Sequence, residues 1–153
     1  MAIKVLYFQA HPVCGATESY LSTLAQGLDK KKFQSGIIYP DVADLYKFSK
    51  LAGVDCIAVK PEYFAGNVIN NAYLIAKQIK KLAPDIIHIN DPSPLGVIAA
   101  SIAGVKKVII THHTPLLDVK YSWKGNLAKQ LAFSLTDYFY FLLHHMTYKQ
   151  ALN

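Results

Sequence analysis

The chain has 153 residues, of which 52% are hydrophobic, 17% charged and 12% aromatic, and its formal charge is +6. This length and apolar content predict one domain with a sizeable core and exclude a disordered chain. The two cysteines, Cys14 and Cys56, exclude a disulfide-rich scaffold and lack the spacing of a zinc-binding pair.

Short β-branched runs alternate with amphipathic segments along the chain. The predicted strands cover residues 3–8, 35–39, 54–59, 86–90, 108–112 and 138–143. The predicted helices cover residues 18–28, 42–51, 68–83, 94–104 and 126–135, with the start of another at 146–153 and a loop at 116–125. The clearest helix places one apolar stripe on a single face, made of Ile69, Ala72, Ala76, Ile79 and Ala83.

This alternation of strand and helix predicts an α/β fold, a Rossmann-like, doubly wound and mainly parallel sheet with helices on both faces. Ser93 and Pro94 have the residue types of a helix N-cap and first helical position, and Gly104 is a typical helix end. We expect the first and fourth strands to lie side by side at the switch point of the sheet.

Polar residues cluster directly after the apolar strands. In a parallel sheet these ends share one edge, where ligands bind in the crevice. The candidate binding residues at this edge are His11, Gly15, His88, Asn90, Asp91, His112 and His113.

Each candidate also has a structural interpretation that the sequence leaves open. His88 lies inside an apolar strand, where a hydrogen-bonded core histidine is as good an interpretation as a contact residue. His112 and His113 point to opposite sides if the strand continues. Asp91 precedes a proline and suits a turn. Gly15 opens the first helix, where backbone N–H groups receive an anion, but an ordinary tight turn fits equally. The G-x-G-x-x-G, P-loop and G-x-S-x-G motifs are all missing from the sequence.

Several segments, in this order and spacing, resemble the N-terminal domain of a family 4 (group 1) glycosyltransferase of the GT-B fold. The resemblance covers residues 3–138 and rests on Gly15–Leu21 (GATESYL), Ala83–Asp91 (APDIIHIND), Ala99–Val105 (AASIAGV) and Val108–Pro115 (VIITHHTP).

The resemblance implies an enzyme of two Rossmann-like domains with the active site between them. The N-terminal domain binds the acceptor, and the C-terminal domain holds the nucleotide-sugar donor. Transfer is expected to be retaining, with no metal and no cofactor. Gly15 matches the glycine loop near the donor phosphate, and His113 matches the histidine that contacts the transferred sugar. His88 matches the first histidine of the strand-four motif, with Asn90 where a second histidine is common. His11, Asp91 and His112 are expected to complete the substrate- and phosphate-binding rim.

The sequence departs from the family pattern in three places. Cys14 stands where a first glycine is frequent, and residues 138–145 lack the usual serine after the sixth strand. The chain ends at Asn153, so we expect residues 1–153 to be a single acceptor-side domain without the donor domain. We expect little or no transferase activity from this chain alone.

Two other functions stay open. Ala10-His11-Pro12 is similar to the start of the His-Pro-Asp-Asp motif of zinc-dependent deacetylases, although Val13 and Cys14 replace the two aspartates. The chain could instead be a non-catalytic module that docks on a membrane or a partner subunit through its lysines and the aromatic run at 138–143. A face left without its opposing domain would favour a homodimer.

All sixteen basic residues are lysines. Arginine supplies the bidentate base contacts of sequence-specific nucleic-acid binding, so we expect no nucleic-acid partner. Excess lysine suits phosphates, nucleotides or an acidic membrane surface, and a solvated basic face is the alternative. No segment has the roughly 20 continuous apolar residues of a membrane span. We expect a cytoplasmic location, with peripheral contact at the inner membrane face as a further expectation.

Overall fold

The computed structural model describes residues 2–10, 16–90, 93–112, 130, 134 and 138–141. These residues contain strands β1 (Ile3–Gln9), β2 (Phe33–Pro40), β3 (Val54–Val59), β4 (Ile86–Asn90), β5 (Lys107–His112) and β6 (Tyr138–Phe141). They also contain helices α1 (Ala16–Gly27), α2 (Val68–Leu82) and α3 (Pro94–Ala103), and the 3-10 helices Ala43–Lys50 and Pro61–Phe64.

The strands form one sheet in the order β3-β2-β1-β4-β5-β6, and every neighbouring pair is parallel. β1 lies between β2 and β4, with Leu6 opposite Ile87. The doubly wound, parallel α/β fold is therefore confirmed, as is the pairing of the first and fourth strands at the switch point. From this point the chain runs to opposite sides of the sheet, since β1 leads to β2 and β4 leads to β5.

Each face of the sheet has its own apolar core, because successive side chains of a strand point to opposite sides. Leu6 and Phe8 of β1 belong to the core under α2 and α3, whereas Val5 and Tyr7 belong to the core with α1 and the 3-10 helix Ala43–Lys50. The two cores cover both faces of the central strands. Those strands consequently have the nearly continuous apolar sequence that is typical of buried parallel sheets.

The helix ends follow from their capping residues. The Asn67 side chain accepts hydrogen bonds from the backbone N–H groups of Ile69 and Asn70, which begins α2. Ser93 Oγ accepts one from Gly96 N at 3.2 Å and begins α3, with Pro94 at the first helical position. Gly104 ends α3 in the left-handed conformation, at φ 76°. The predicted roles of Ser93, Pro94 and Gly104 are confirmed.

The predicted apolar stripe of α2 is wrong at both ends. Ile69 is 73% exposed and Val68 42% exposed, so the first turn of the helix lies outside the core. Ala83 is not helical but forms the left-handed C-cap. The residues that α2 buries are Asn71, Ala72, Ile75, Ala76 and Ile79. The apolar spacing continues into the first turn of α2, but the elements that pack against the helix do not cover that turn, and the sequence does not reveal this.

The remaining differences concern element type and extent. The predicted helix at 42–51 is a 3-10 helix, and the strand predicted at 138–143 is described over Tyr138–Phe141. Of the helix predicted at 126–135 the structure describes only residues 130 and 134, and both are helical. The predicted loop at 116–125 and the final segment at 146–153 lie outside the described residues.

Candidate functional site at the carboxyl edge of the sheet

A row of buried polar side chains crosses the carboxyl ends of the three central strands. Gln9 of β1 lies opposite Asn90 of β4, which lies opposite Thr111 of β5. Their exposed fractions are 1%, 0% and 3%. We call Gln9, Asn90 and Thr111 the polar row. By strand alternation the row lies on the α1 face, one step beyond the apolar residues that fill this face of the core.

Hydrogen bonds hold the polar row together, as burial requires. Asn90 Nδ2 donates to Gln9 Oε1 at 3.2 Å, which joins β1 to β4 through their last side chains. A hydrogen bond of 2.6 Å joins His88 Nε2 and Thr111 Oγ1, which joins β4 to β5. Three strand ends are thereby fixed relative to one another. The chain leaves each of these ends directly into a segment that carries predicted site residues.

His88 is half-buried beside the polar row, on the same face of the sheet. Its ring lies 5.5 Å from the ring of Tyr7 and 6.4 Å from the ring of Tyr20, measured between centroids, and the second contact is edge to face. Tyr7 comes from β1 and Tyr20 from α1. Burial, with a smaller contribution from Tyr20, raises the pKa of Tyr7 to about 12. Tyr7 is therefore a neutral phenol at physiological pH, and the imidazole of His88 contacts the rings of both tyrosines.

The first turn of α1 carries a buried carboxylate. Glu18 has a side chain that is 3% exposed and forms an ion pair with Lys47, whose side chain is 50% exposed. Ser22 Oγ donates to Glu18 Oε1 at 3.5 Å. The pair ties the beginning of α1 to the 3-10 helix Ala43–Lys50. A negative charge in the first turn also complements the helix dipole.

A close packing contact sets the start of α3 on the other face of the sheet. A Cβ on Gly96 would lie 3.0 Å from Cδ1 and Cε1 of Phe8 and 3.3 Å from Cδ1 of Ile89. Gly96 therefore lets the first turn of α3 approach β1 and β4 more closely than any other residue would. The amino ends of α1 and α3 both lie at the carboxyl edge of the sheet. Their positive dipole ends make this edge favourable for anionic groups.

The sequence-predicted site residues fall into three groups. His88 and Asn90 lie together at the carboxyl edge, where His88 is hydrogen-bonded to Thr111 and Asn90 to Gln9. His112 is the last residue of β5, and its backbone pairs with Phe141 of β6. Four others lie outside the described residues, namely His11, Gly15, Asp91 and His113.

Sequence reasoning assigned no role at the site to Gln9, Thr111, Glu18, Tyr20 or Lys47. The sequence does contain a signal for the polar row. Gln9 and Thr111 are each two positions after a hydrophobic residue on the same face of the same strand, so a polar side chain stands where an apolar one is expected. Glu18 and Lys47 are 29 positions apart in the sequence, and no local pattern marks the pair.

A groove among the described residues lies at the opposite edge of the sheet. It has a volume of about 680 Å³ and is lined by residues that begin the strands, including Lys4, Gln34 and Lys107. None of the residues that line it belongs to the polar row. Within the described part of the chain, no three His, Cys, Asp or Glu side chains converge as metal ligands would. The His11 motif of the deacetylase alternative lies outside the described residues.

Several solved structures have the same fold. A glycosyltransferase from Rickettsia africae ESF-5 matches 75% of this chain and 32% of its own, with a TM-score of 0.56 and 22% identity. A protein assigned as a UDP-N-acetylglucosamine 2-epimerase from Listeria monocytogenes matches 92% of this chain and 39% of its own, with a TM-score of 0.60 and 15% identity. The PbgP3 protein from Burkholderia pseudomallei matches 92% of this chain and 58% of its own, with a TM-score of 0.51 and 13% identity.

The fold and its parallel switch point define a Rossmann-like domain of the GT-B type. The model of Glycosyltransferase Family 4 matches residues 17–147, and the chain belongs to this family. No curated protein sequence matches the chain. The chain spans about a third of the first solved structure and less than two thirds of the other two. In the described part of the chain, no helix is long and apolar enough to cross a membrane.

Proposed function

We propose that this chain is the acceptor-side half of a retaining, metal-independent glycosyltransferase of the group 1 type. The enzyme would move a sugar from a nucleotide-sugar donor to a sugar, lipid or small-molecule acceptor in carbohydrate biosynthesis, in the cytoplasm. The match of the family model to residues 17–147 carries this proposal. The carboxyl edge of the sheet supports it with a site of suitable chemistry.

The polar row has the properties of a support for that site. Transition-state stabilisation needs donors held in place before the reaction, so that no reorganisation is required when charge develops. Gln9, Asn90 and Thr111 are buried and hydrogen-bonded, so they would fix the strand ends that lie beside the bound substrate. His11 follows Gln9 by two positions, and His113 follows Thr111 by two. The row therefore supports the segments from which substrate-binding groups are proposed to come.

Each proposed binding residue has a stated task. Backbone N–H groups at Gly15 would receive the donor phosphate at the beginning of α1, where the helix dipole favours an anion. His113 would contact the transferred sugar and hydrogen-bond a hydroxyl near the reacting carbon. Asp91, His11 and His112 would hydrogen-bond acceptor hydroxyls around the rim.

The donor side of the reaction needs an opposing lobe. A nucleotide sugar hydrolyses if water reaches the reacting centre, so closing two domains around it favours transfer. We propose that a second domain, on the same polypeptide or on a partner subunit, holds the nucleotide. The 153 residues by themselves would then lack turnover.

A transfer assay with mixed nucleotide sugars tests the proposal. The chain together with its second domain or partner subunit should transfer sugar to an acceptor, keep the anomeric configuration of the donor and remain active in EDTA. The 153-residue chain should give no sustained turnover under the same conditions. Inversion of configuration or loss of activity in EDTA would contradict the proposed mechanism. Sustained turnover by the short chain would contradict the need for a second lobe.

A further inference from the structure

Half of the lysines in the chain lie at the amino edge of the sheet, opposite the candidate site. Strands begin at this edge, and the three α-helices end there. The turns that connect helix ends to strand starts therefore come together, although they are far apart in the sequence. The lysines in this group, which we call the amino-edge lysines, are Lys4, Lys30, Lys31, Lys32, Lys80, Lys81, Lys106 and Lys107.

Contacts between these turns confirm that they form one surface. Ile3 N donates to the carbonyl oxygen of Lys32 at 2.8 Å, which joins the start of β1 to the turn before β2. Lys4 Nζ donates to the carbonyl oxygen of Leu82 at 3.3 Å, at the end of α2. Lys30 Nζ donates to the carbonyl oxygen of Ala52 at 3.4 Å, in the turn before β3.

Acidic residues at this edge do not balance the lysines. The described residues place Asp29, Asp55 and Asp85 there, which leaves eight lysines against three carboxylates. Among the described residues, Lys32 is the one amino-edge lysine with a carboxylate within 4.0 Å, at 3.9 Å from Asp29. The carboxyl ends of α1, α2 and α3 each add about half a negative charge, so together they offset the positive charge of fewer than two lysines. A clear excess of positive charge remains.

The shape of this edge suits an extended anionic surface. The groove of about 680 Å³ is lined by Lys4, Lys106 and Lys107 with a single acidic neighbour, Asp85. Ile3 is 43% exposed at the same edge, and Ile102 in the last turn of α3 is 37% exposed. Lysines that surround a few exposed aliphatic side chains match the chemistry of a phospholipid surface, where ammonium groups meet headgroup phosphates.

We propose that the amino edge docks on the surface of an anionic phospholipid bilayer. Docking in this orientation leaves the carboxyl edge and the polar row facing away from the lipid. The absence of arginine favours this diffuse electrostatic partner over one that requires bidentate contacts. The inference rests on the distribution of charge and does not depend on the proposed transferase function.

Co-sedimentation of the chain with vesicles tests the proposal. Phosphatidylcholine vesicles that contain phosphatidylglycerol should bind the chain at low salt and release it at high salt, whereas pure phosphatidylcholine vesicles should not bind it. The double variant K106Q/K107Q removes two exposed amino-edge charges and should weaken binding about 30-fold, since each lysine near the surface contributes on the order of 1 kcal/mol.

The matched control is K60Q/K77Q, which removes the same charge from exposed positions after β3 and in the middle of α2. This control should bind almost as well as the unchanged chain. Hydrogen exchange on vesicles should slow in the turn at 28–32 and stay unchanged at 60–67. Equal losses for the two double variants, or binding to neutral vesicles, would overturn the proposal. So would tighter binding to soluble polyglutamate or nucleic acid than to vesicles of equal charge.

Discussion

Removal of the Lys47 ammonium tests whether the Glu18–Lys47 pair holds α1 in place. Lys47→Met keeps most of the aliphatic stem and leaves the Glu18 carboxylate at 3% exposure without its cation. Exposed ion pairs contribute about 0–1 kcal/mol, and leaving one charge buried alone costs about 3–5 kcal/mol. Since one partner here is buried and the other half-exposed, we expect a loss of about 2 kcal/mol in the free energy of unfolding.

The two members of the ion pair should differ in how much stability their removal costs. Glu18→Gln leaves a lysine that water can solvate, so its cost should be smaller, about 1 kcal/mol. The double variant E18Q/K47M should lose well less than the sum of the two single losses, because it removes the Glu18 charge together with its cation.

Urea denaturation followed by far-UV circular dichroism measures these differences at neutral pH. Lys50→Met is the matched control, since Lys50 belongs to the same 3-10 helix and is exposed, with its Nζ 5.1 Å from the ring centroid of Tyr46. Its cost should stay within about 0.5 kcal/mol. A Lys47→Met loss no larger than this control, or a Glu18→Gln loss larger than that of Lys47→Met, would refute the reasoning.

Three further predictions concern packing, ionisation and capping, each measured by urea denaturation. Gly96→Ala should cost about 1–2 kcal/mol because its Cβ meets Phe8 at 3.0 Å, while Gly27→Ala, with nothing within 4 Å, should be neutral or stabilising. The pKa of Tyr7 is raised from 10.0 to about 12, so folding favours the protonated phenol. The free energy of unfolding should therefore be about 1.4 kcal/mol lower at pH 11 than below pH 10, because the unfolded state releases this proton first. Tyr7→Phe has no phenol to titrate and should lack this part of the loss. Asn67→Ala should cost about 1 kcal/mol, with Asn67→Ser restoring most of it. A tolerated Gly96→Ala, an identical pH profile for Tyr7→Phe, or a neutral Asn67→Ala would contradict these interpretations.

The sheet was predictable because its central strands are buried on both faces and its edge strand β3 is short and bounded by turn residues. Runs such as residues 54–59 and 86–90 are short, apolar and bounded by turn residues, so their extents agree with the structure. Helix ends were predictable where a cap residue marks them, as at Ser93 and Gly104. The exposure of the first turn of α2 was not predictable, because Ile69 has the spacing of a core residue although it is exposed in the structure.

The candidate site was predictable in position but not in its contacts. Parallel strands end at one edge of the sheet, so the last residues of β1, β4 and β5 lie next to one another there. Which of them bond to each other depends on side-chain direction and strand register. Thr111 reaches His88 rather than Asn90 directly opposite it, and Lys47 reaches Glu18 across two elements. Such long-range pairs leave no periodic trace in the sequence.

Chemical-shift mapping of the isotopically labelled chain tests the central claim, which is that ligands bind at the carboxyl edge. Nucleotide sugars and a panel of mono- and disaccharides would be titrated while backbone amide signals are followed. The account predicts that the largest shifts occur at Gln9, Asn90 and Thr111 and that Lys4, Gln34 and Lys107 at the opposite groove stay unchanged. Shifts confined to the groove residues, with none along the polar row, would contradict it.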